Sequence, residues 1–243
     1  MCLLVLAFEA HPRHLLAVAA NRDEFHHRPA DPAHFWPERP DLLAGRDLEG
    51  GGTWLGVTRG GRFAALTNFR EPGRHLADAP SRGGLVTAFL TGDRAPLDFL
   101  AELGPRAVAY NGFSLVVGDG KQLACLSNRG AGPAPISPGV HGLSNHLLDT
   151  PWPKVTRSRD RLRELIAGDQ VEPASLLDLL SDRNPPADAD LPVTGVGLDL
   201  ERLLGPPCVV SPTYGTRCST ALLVDRDGEV RLVERTLDPN GSP

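Results

Sequence analysis

Cys2-Leu3-Leu4-Val5-Leu6-Ala7-Phe8 is followed, after a short polar break, by Leu15-Leu16-Ala17-Val18-Ala19-Ala20-Asn21-Arg22-Asp23-Glu24. Two uninterrupted apolar runs of strand length, joined around Ala10-His11-Pro12, read as a pair of strands. The second run ends in four polar residues. Register decides whether this polar end lies beside Cys2 or at the opposite end, and the sequence does not fix register. Cys2 directly follows the initiator Met1, whose removal is expected ahead of a small residue. The thiol, with an ordinary pKa of ~8.5, would then sit beside an α-amine of ~8. That amine can take the thiol's proton and make a nucleophile without a histidine.

Working outward, three more apolar pairs share this form. Thr53 to Thr58 pairs with Arg62 to Thr67, Phe113 to Val117 with Gln122 to Ser127, and Ala221 to Asp225 with Glu229 to Leu237. Each is joined by a glycine-containing turn suited to a hairpin. Helical patterns fall between them at Gly84 to Leu90, Pro96 to Leu103 (capped by Asp93, stopped by Gly104), Val155 to Ile166 and Pro173 to Leu180. No strand-helix-strand crossover repeats. The order predicts two antiparallel sheets packed together with helices outside. Phe25 to Asp47, rich in Pro and His, reads as a long loop, and Ala187 to Gly197 as a second irregular segment. No linker or internal repeat interrupts the chain, so residues 1–243 are expected to form a single domain.

Length and composition are those of a globular protein: 243 residues, 41% hydrophobic and 23% charged. The net charge of -5 argues against a nucleic-acid binder. The opening apolar run has no basic residue before it and breaks after seven residues, so it does not make a signal peptide. No stretch approaches the ~20 apolar residues of a membrane span. The expectation is a cytoplasmic chain whose four cysteines are reduced thiols. None of the cysteines or histidines has metal-site spacing.

The residues with chemical potential sit at strand ends. Asp23 and Arg22 could hold the Cys2 amine and thiol, with Glu24 further out; standing alone, such a motif is more often a solvated turn with an ion pair. Asn68 and Asn145 could each aim an amide N–H at an oxyanion, or simply end strands as asparagine does. Arg217, after Gly215-Thr216, could anchor a carboxylate. Gly50-Gly51-Gly52-Thr53 lacks the spacing and lysine of a phosphate loop and reads as a tight turn. A loop carrying His26, His27 and His34 could offer a haem ligand.

Taken together, the motifs resemble the NRDE family, also called the transport-and-Golgi-organisation-protein-2-like family. The residues that carry the resemblance are Met1-Cys2 before an apolar strand, Ala20-Asn21-Arg22-Asp23-Glu24, Gly51-Gly52-Thr53-Trp54-Leu55-Gly56, Leu66-Thr67-Asn68-Phe69-Arg70, Leu143-Ser144-Asn145 running on to Thr150-Pro151-Trp152-Pro153-Lys154-Val155, and Tyr214-Gly215-Thr216-Arg217. The resemblance implies an α+β fold, a four-layer αββα sandwich of the N-terminal-nucleophile hydrolase type. More distantly the chain is similar to bile-salt hydrolases and penicillin V acylases. That similarity implies Cys2 as nucleophile with Asp23, Asn68, Asn145 and Arg217 in catalytic roles. Asn21, Arg22, Glu24 and Tyr214 are then ligand-binding candidates. Arg22 departs from the hydrolase pattern, where the early arginine lies slightly upstream of the aspartate rather than adjacent to it. Two functions follow as expectations. One is a cysteine amidohydrolase acting on non-peptide C–N amides of a small molecule, needing no cofactor. The other is a non-catalytic carrier of haem or an acyl-CoA in the same cleft.

Overall fold

The computed structural model describes residues 2–243; expectations about Met1 lie outside them. In chain order the strands and α-helices are β1 (Cys2–Phe8), β2 (His14–Phe25), β3 (Ala30–Trp36), β4 (Arg39–Asp47), β5 (Leu55–Thr58), β6 (Phe63–Asn68), α1 (Gly83–Leu90), α2 (Pro96–Leu103), β7 (Phe113–Gly118), β8 (Leu123–Ser127), β9 (Ala134–Pro135), β10 (Gly139–Leu143), α3 (Pro153–Ala167), α4 (Pro173–Leu179), α5 (Leu198–Leu203), β11 (Tyr214–Asp225) and β12 (Val230–Thr236). The strands form two antiparallel sheets, ordered β10-β1-β2-β11-β12 and β3-β4-β5-β6-β7-β8-β9. Helices flank both, as the α+β expectation requires. The chain divides into two compact units. Among the described residues, the first comprises 2–27, 138–144 and 148–243; the second comprises 28–137 and 145–147.

In the first unit, alternation along the strands builds one apolar layer. Leu3, Val5 and Ala7 of β1, Ala17 and Ala19 of β2, and Ala221 and Leu223 of β11 point to one face. There they meet Val155, Leu162 and Leu165 of α3 and Leu176, Leu177 and Leu179 of α4. The α3 residues recur at helical spacing, which keeps them on one stripe. Each fully buried leucine contributes about 1.5–3 kcal/mol. Small alanines on β2 and β11 let the helices come close to the sheet. Both α3 and α4 start at a proline in the first helical position, where the missing N–H costs nothing. The second unit repeats the scheme: Ala64, Leu66, Phe113, Leu115 and Val117 pack against Leu85, Val86, Phe89 and Leu90 of α1 and Leu100 and Leu103 of α2.

All four predicted strand pairs form. The Pro- and His-rich stretch is not a loop: it contains β3 and β4, which pair antiparallel. Register shifts between Asp31 and His34 and between Phe35 and Trp36 break the period-two pattern that would have revealed β3. As the edge strand of its sheet, β3 tolerates Pro32. It is fixed by Trp36, whose Nε1–H donates to the Ala44 carbonyl at 3.1 Å. Asp93 does not cap α2; Ala95 takes that place ahead of Pro96. The glycine turn is as expected, with Gly51 at φ 75°.

Candidate active site around Cys2

Register places the polar end of β2 beside Cys2. Cys2 pairs with Arg22, Arg22 pairs on its other side with Cys218, and Cys218 pairs with Thr236. Residues paired across antiparallel strands leave the sheet on the same face. Cys2, Arg22, Cys218 and Thr236 therefore form one row. The adjacent row, Leu3-Asn21-Ser219, points the other way, toward the helices.

Strand β2 has twelve residues against seven in β1, so Asp23, Glu24 and Phe25 run past Cys2. There β11 bulges: Cys218 faces Arg22 and Thr216 faces Asp23, with Arg217 as the extra residue. The bulge puts the Thr216 side chain on the Asp23 side. Its hydroxyl donates to Asp23 Oδ1 at 2.7 Å and accepts from the Val209 N–H at 2.9 Å. Asp23 is buried, and its main-chain carbonyl accepts from the Tyr214 hydroxyl at 3.1 Å. Arg217 donates from Nη1 to the Phe25 carbonyl at 2.9 Å. Tyr214 and Arg217 thus hold the backbone of the overhanging strand. Glu24 accepts from the Phe25 N–H at 2.9 Å.

Asn21 lies in the interior. Its amide nitrogen donates to the Leu180 and Pro207 carbonyls at 3.0 and 2.9 Å, and its oxygen accepts from Ser219 at 2.6 Å. These bonds tie β2 to the end of α4. The main chain of Cys2 is held from the other side, where Ser144 donates to the Cys2 carbonyl at 3.0 Å.

All four cysteines are free thiols. Cys2 is half-buried. Burial pushes its thiol above the ordinary value and the Asp23 carboxylate adds to the rise; Arg22 and a main-chain hydrogen bond from Asp23 act against it. The resting sulfur is therefore a thiol that must lose a proton before it can attack anything.

Asn68 and Asn145 belong to the second unit. Asn145 is fully buried, sits at φ 56°, and donates from its amide to the Asn68 carbonyl at 3.0 Å. Its own carbonyl accepts from the Arg70 N–H at 2.7 Å. The histidines expected to share a loop do not. His26 bonds the Ser211 carbonyl in the first unit, while His34 lies in β3 of the second.

The sequence reading missed Cys218, Thr216 and Ser144 as parts of this site. Thr216, Cys218 and Thr220 recur at period two in an apolar strand, a visible signal. The bulge at Arg217 then sends Thr216 to the opposite face, which the spacing does not reveal.

Two antiparallel sheets flanked by helices make this an α+β protein, with a thiol opening the first strand and a buried Arg-Asp step beside it as its candidate site. The chain belongs to the Transport and Golgi organisation 2 family, whose profile matches residues 1–239. The bovine Transport and Golgi organization protein 2 homolog is 38% identical over 262 residues, covering 98% of this chain and 93% of its own. The human homolog shows the same identity and coverage, 38%, 98% and 93%. Among solved structures, a Caenorhabditis elegans N-acylethanolamine-hydrolyzing acid amidase orthologue aligns with a TM-score of 0.49 at 14% identity, over 98% of this chain and 100% of its own. A mutant conjugated bile acid hydrolase from Clostridium perfringens aligns at 0.47 and 7% identity, over 100% of this chain and 98% of its own.

Proposed function

We propose that this chain is a cysteine amidohydrolase that cleaves a non-peptide C–N amide of a small molecule. One arrangement carries the reading: Cys2 opens β1 directly opposite Arg22, with the buried Asp23 one residue beyond. Once Met1 is removed, the α-amine of Cys2 takes the thiol proton. Arg22 favours the thiolate, and Asp23 favours the ammonium. The sulfur attacks the amide carbonyl, the ammonium returns the proton to the departing amine, and a thioester remains on Cys2. Water then hydrolyses the thioester, releasing a carboxylic acid and restoring the thiol. A thiol held protonated at rest needs a base, and the α-amine of the same residue is the one that removal of Met1 supplies.

The test begins with intact-mass measurement to establish that Met1 is absent. A panel of small N-acyl amides is then assayed for free-amine release by the native chain, by Cys2→Ala, and by a form with a bulky residue inserted after Met1. The native chain is expected to release amine and to carry a transient acyl mass on the peptide containing Cys2; the other two release none. Undiminished turnover by the extended form would rule the mechanism out. Saturable binding of haem or an acyl-CoA, with neither amine release nor acyl mass, would reassign the site to ligand carriage.

A further inference from the structure

The row that starts at Cys2 does not end at Arg22. It continues through Cys218 on β11 to Thr236 on β12, and two residues along the same face of β12 lies Glu234, which pairs with Thr220. The Glu234 carboxylate accepts from the Thr220 hydroxyl at 3.3 Å and is hydrogen-bonded by the Cys218 thiol. A negative charge is thus fixed on the far side of Arg22 from the sulfur of Cys2. Cys218 is not a redox partner of Cys2. Two strand spacings separate them, about 10 Å between Cα atoms, beyond the ~7 Å that a disulfide spans.

We infer that Glu234 is a positioning residue of the Cys2 centre: held by Cys218 and Thr220, it offsets the charge of Arg22 and so sets how readily the Cys2 thiol ionises. Within the first unit, the charged and titratable groups on the face of Cys2 are Arg22 on β2 and, beyond it, Cys218 and Glu234; Asp23, on the other face, acts on the thiol from the next position of β2, and on β10 the side chain of His141, opposite Leu6, is held by Asp149 at 2.7 Å. Asp178 of α4 meets β12 through Arg235, at 3.9 Å, on the opposite face from Glu234. Burial and Glu234 together push the Cys218 thiol well above its ordinary value. Cys218 therefore stays protonated and keeps its hydrogen bond to give.

The inference is tested by the pH dependence of Cys2 alkylation with iodoacetamide, followed by peptide mass spectrometry so that Cys125, Cys208 and Cys218 are scored separately. This readout needs no substrate, so it stands or falls independently of the proposed hydrolysis. In Glu234→Gln, Arg22 is no longer countered, and the alkylation midpoint of Cys2 is expected to fall by about half to one pH unit. Glu234→Asp keeps the charge and is expected to retain the native profile. A Glu234→Gln profile that superimposes on the native one overturns the inference, as does a Glu234→Asp shift as large as that of Glu234→Gln. Should Glu234→Gln fail to fold, Cys218→Ser and Cys218→Ala give the same decision. The serine hydroxyl preserves the link to Glu234 and the native midpoint, the alanine lowers it, and equal midpoints in both overturn the inference.

Discussion

Arg22 stands directly opposite Cys2 across the β1–β2 pair, so guanidinium and thiol leave the sheet on the same face. Arg22 is 5% exposed, so water screens its charge poorly and the sulfur feels it. Replacing Arg22 with Met keeps length and removes charge. Cys2 alkylation at pH 7.5 is expected to slow about threefold or more, as the midpoint rises by roughly half a unit. An unchanged rate would mean that the pair is only structural.

Thr216 links Asp23 to the Val209 backbone through one hydroxyl. Thr216→Val keeps the shape and deletes both bonds in the interior. It is expected to cost about 1–3 kcal/mol in urea unfolding, whereas Thr216→Ser should cost far less. Equal losses in the two variants would point to the methyl rather than the hydroxyl.

Asn21 fills three hydrogen bonds inside the first unit. Asn21→Ala leaves two carbonyls and the Ser219 hydroxyl short of a partner, and is expected to destabilise by several kcal/mol, on the order of 3. Asn21→Ala with Ser219→Ala should cost less than the sum of the two singles, and strict additivity would show that the two side chains do not act together.

Asn145 occupies the left-handed region at φ 56°. Asn145→Ala loses the side-chain hydrogen bond to the Asn68 carbonyl and adds strain, at a combined cost of roughly 2 kcal/mol or more. Asn145→Gly loses the bond without the strain and is expected to unfold at a higher urea concentration than the alanine variant. The reverse order would show that backbone conformation is not what asparagine supplies here.

His11 gives stability a pH dependence. It is buried, and its Nδ1 accepts from the Arg13 and His14 N–H groups at 3.2 and 3.3 Å. Burial lowers its pKa below the ordinary 6.5, with His14 and Arg13 adding to the effect. The unfolded chain therefore takes up the proton first. The contribution is complete above pH 6.5 and is lost as pH falls from there through the folded value. His146, lowered by burial, acts in the same direction. Carboxylates such as Glu71, held low by Arg129, titrate in a lower range. The urea midpoint is expected to drop between pH 7.5 and 5.5, and His11→Gln should flatten that slope. A midpoint that stays constant in the native chain would contradict this.

Much of the fold was legible because hairpins announce themselves locally. Two apolar runs around a glycine turn carry their own pairing, and four such pairs were read correctly. What escaped depends on departures from regularity. Strand β3 hides behind two register shifts, and α5 is six residues long, too short for a periodic stripe. Within the site, residue types were readable and faces were not. Asn21, Arg22 and Asp23 alternate across the sheet, so only the pairing with β1 and β11 shows that Arg22 shares the side of Cys2. The bulge at Arg217 is invisible to spacing and places Thr216 against Asp23.

The overhang of β2 beyond β1 constrains how this chain can change length. An insertion in the turn at residues 9–13 would loosen the bonds that Arg226 makes to the His11 and Pro12 carbonyls but leave the alternation along β2 intact. Losing one residue between Leu16 and Arg22 would instead turn three neighbouring side chains inside out at a stroke: the guanidinium would swing under the helices while the amide and carboxylate swung away from them. The NRDE tetrapeptide can thus tolerate exchange of residues far more readily than a shift in its distance from the hairpin.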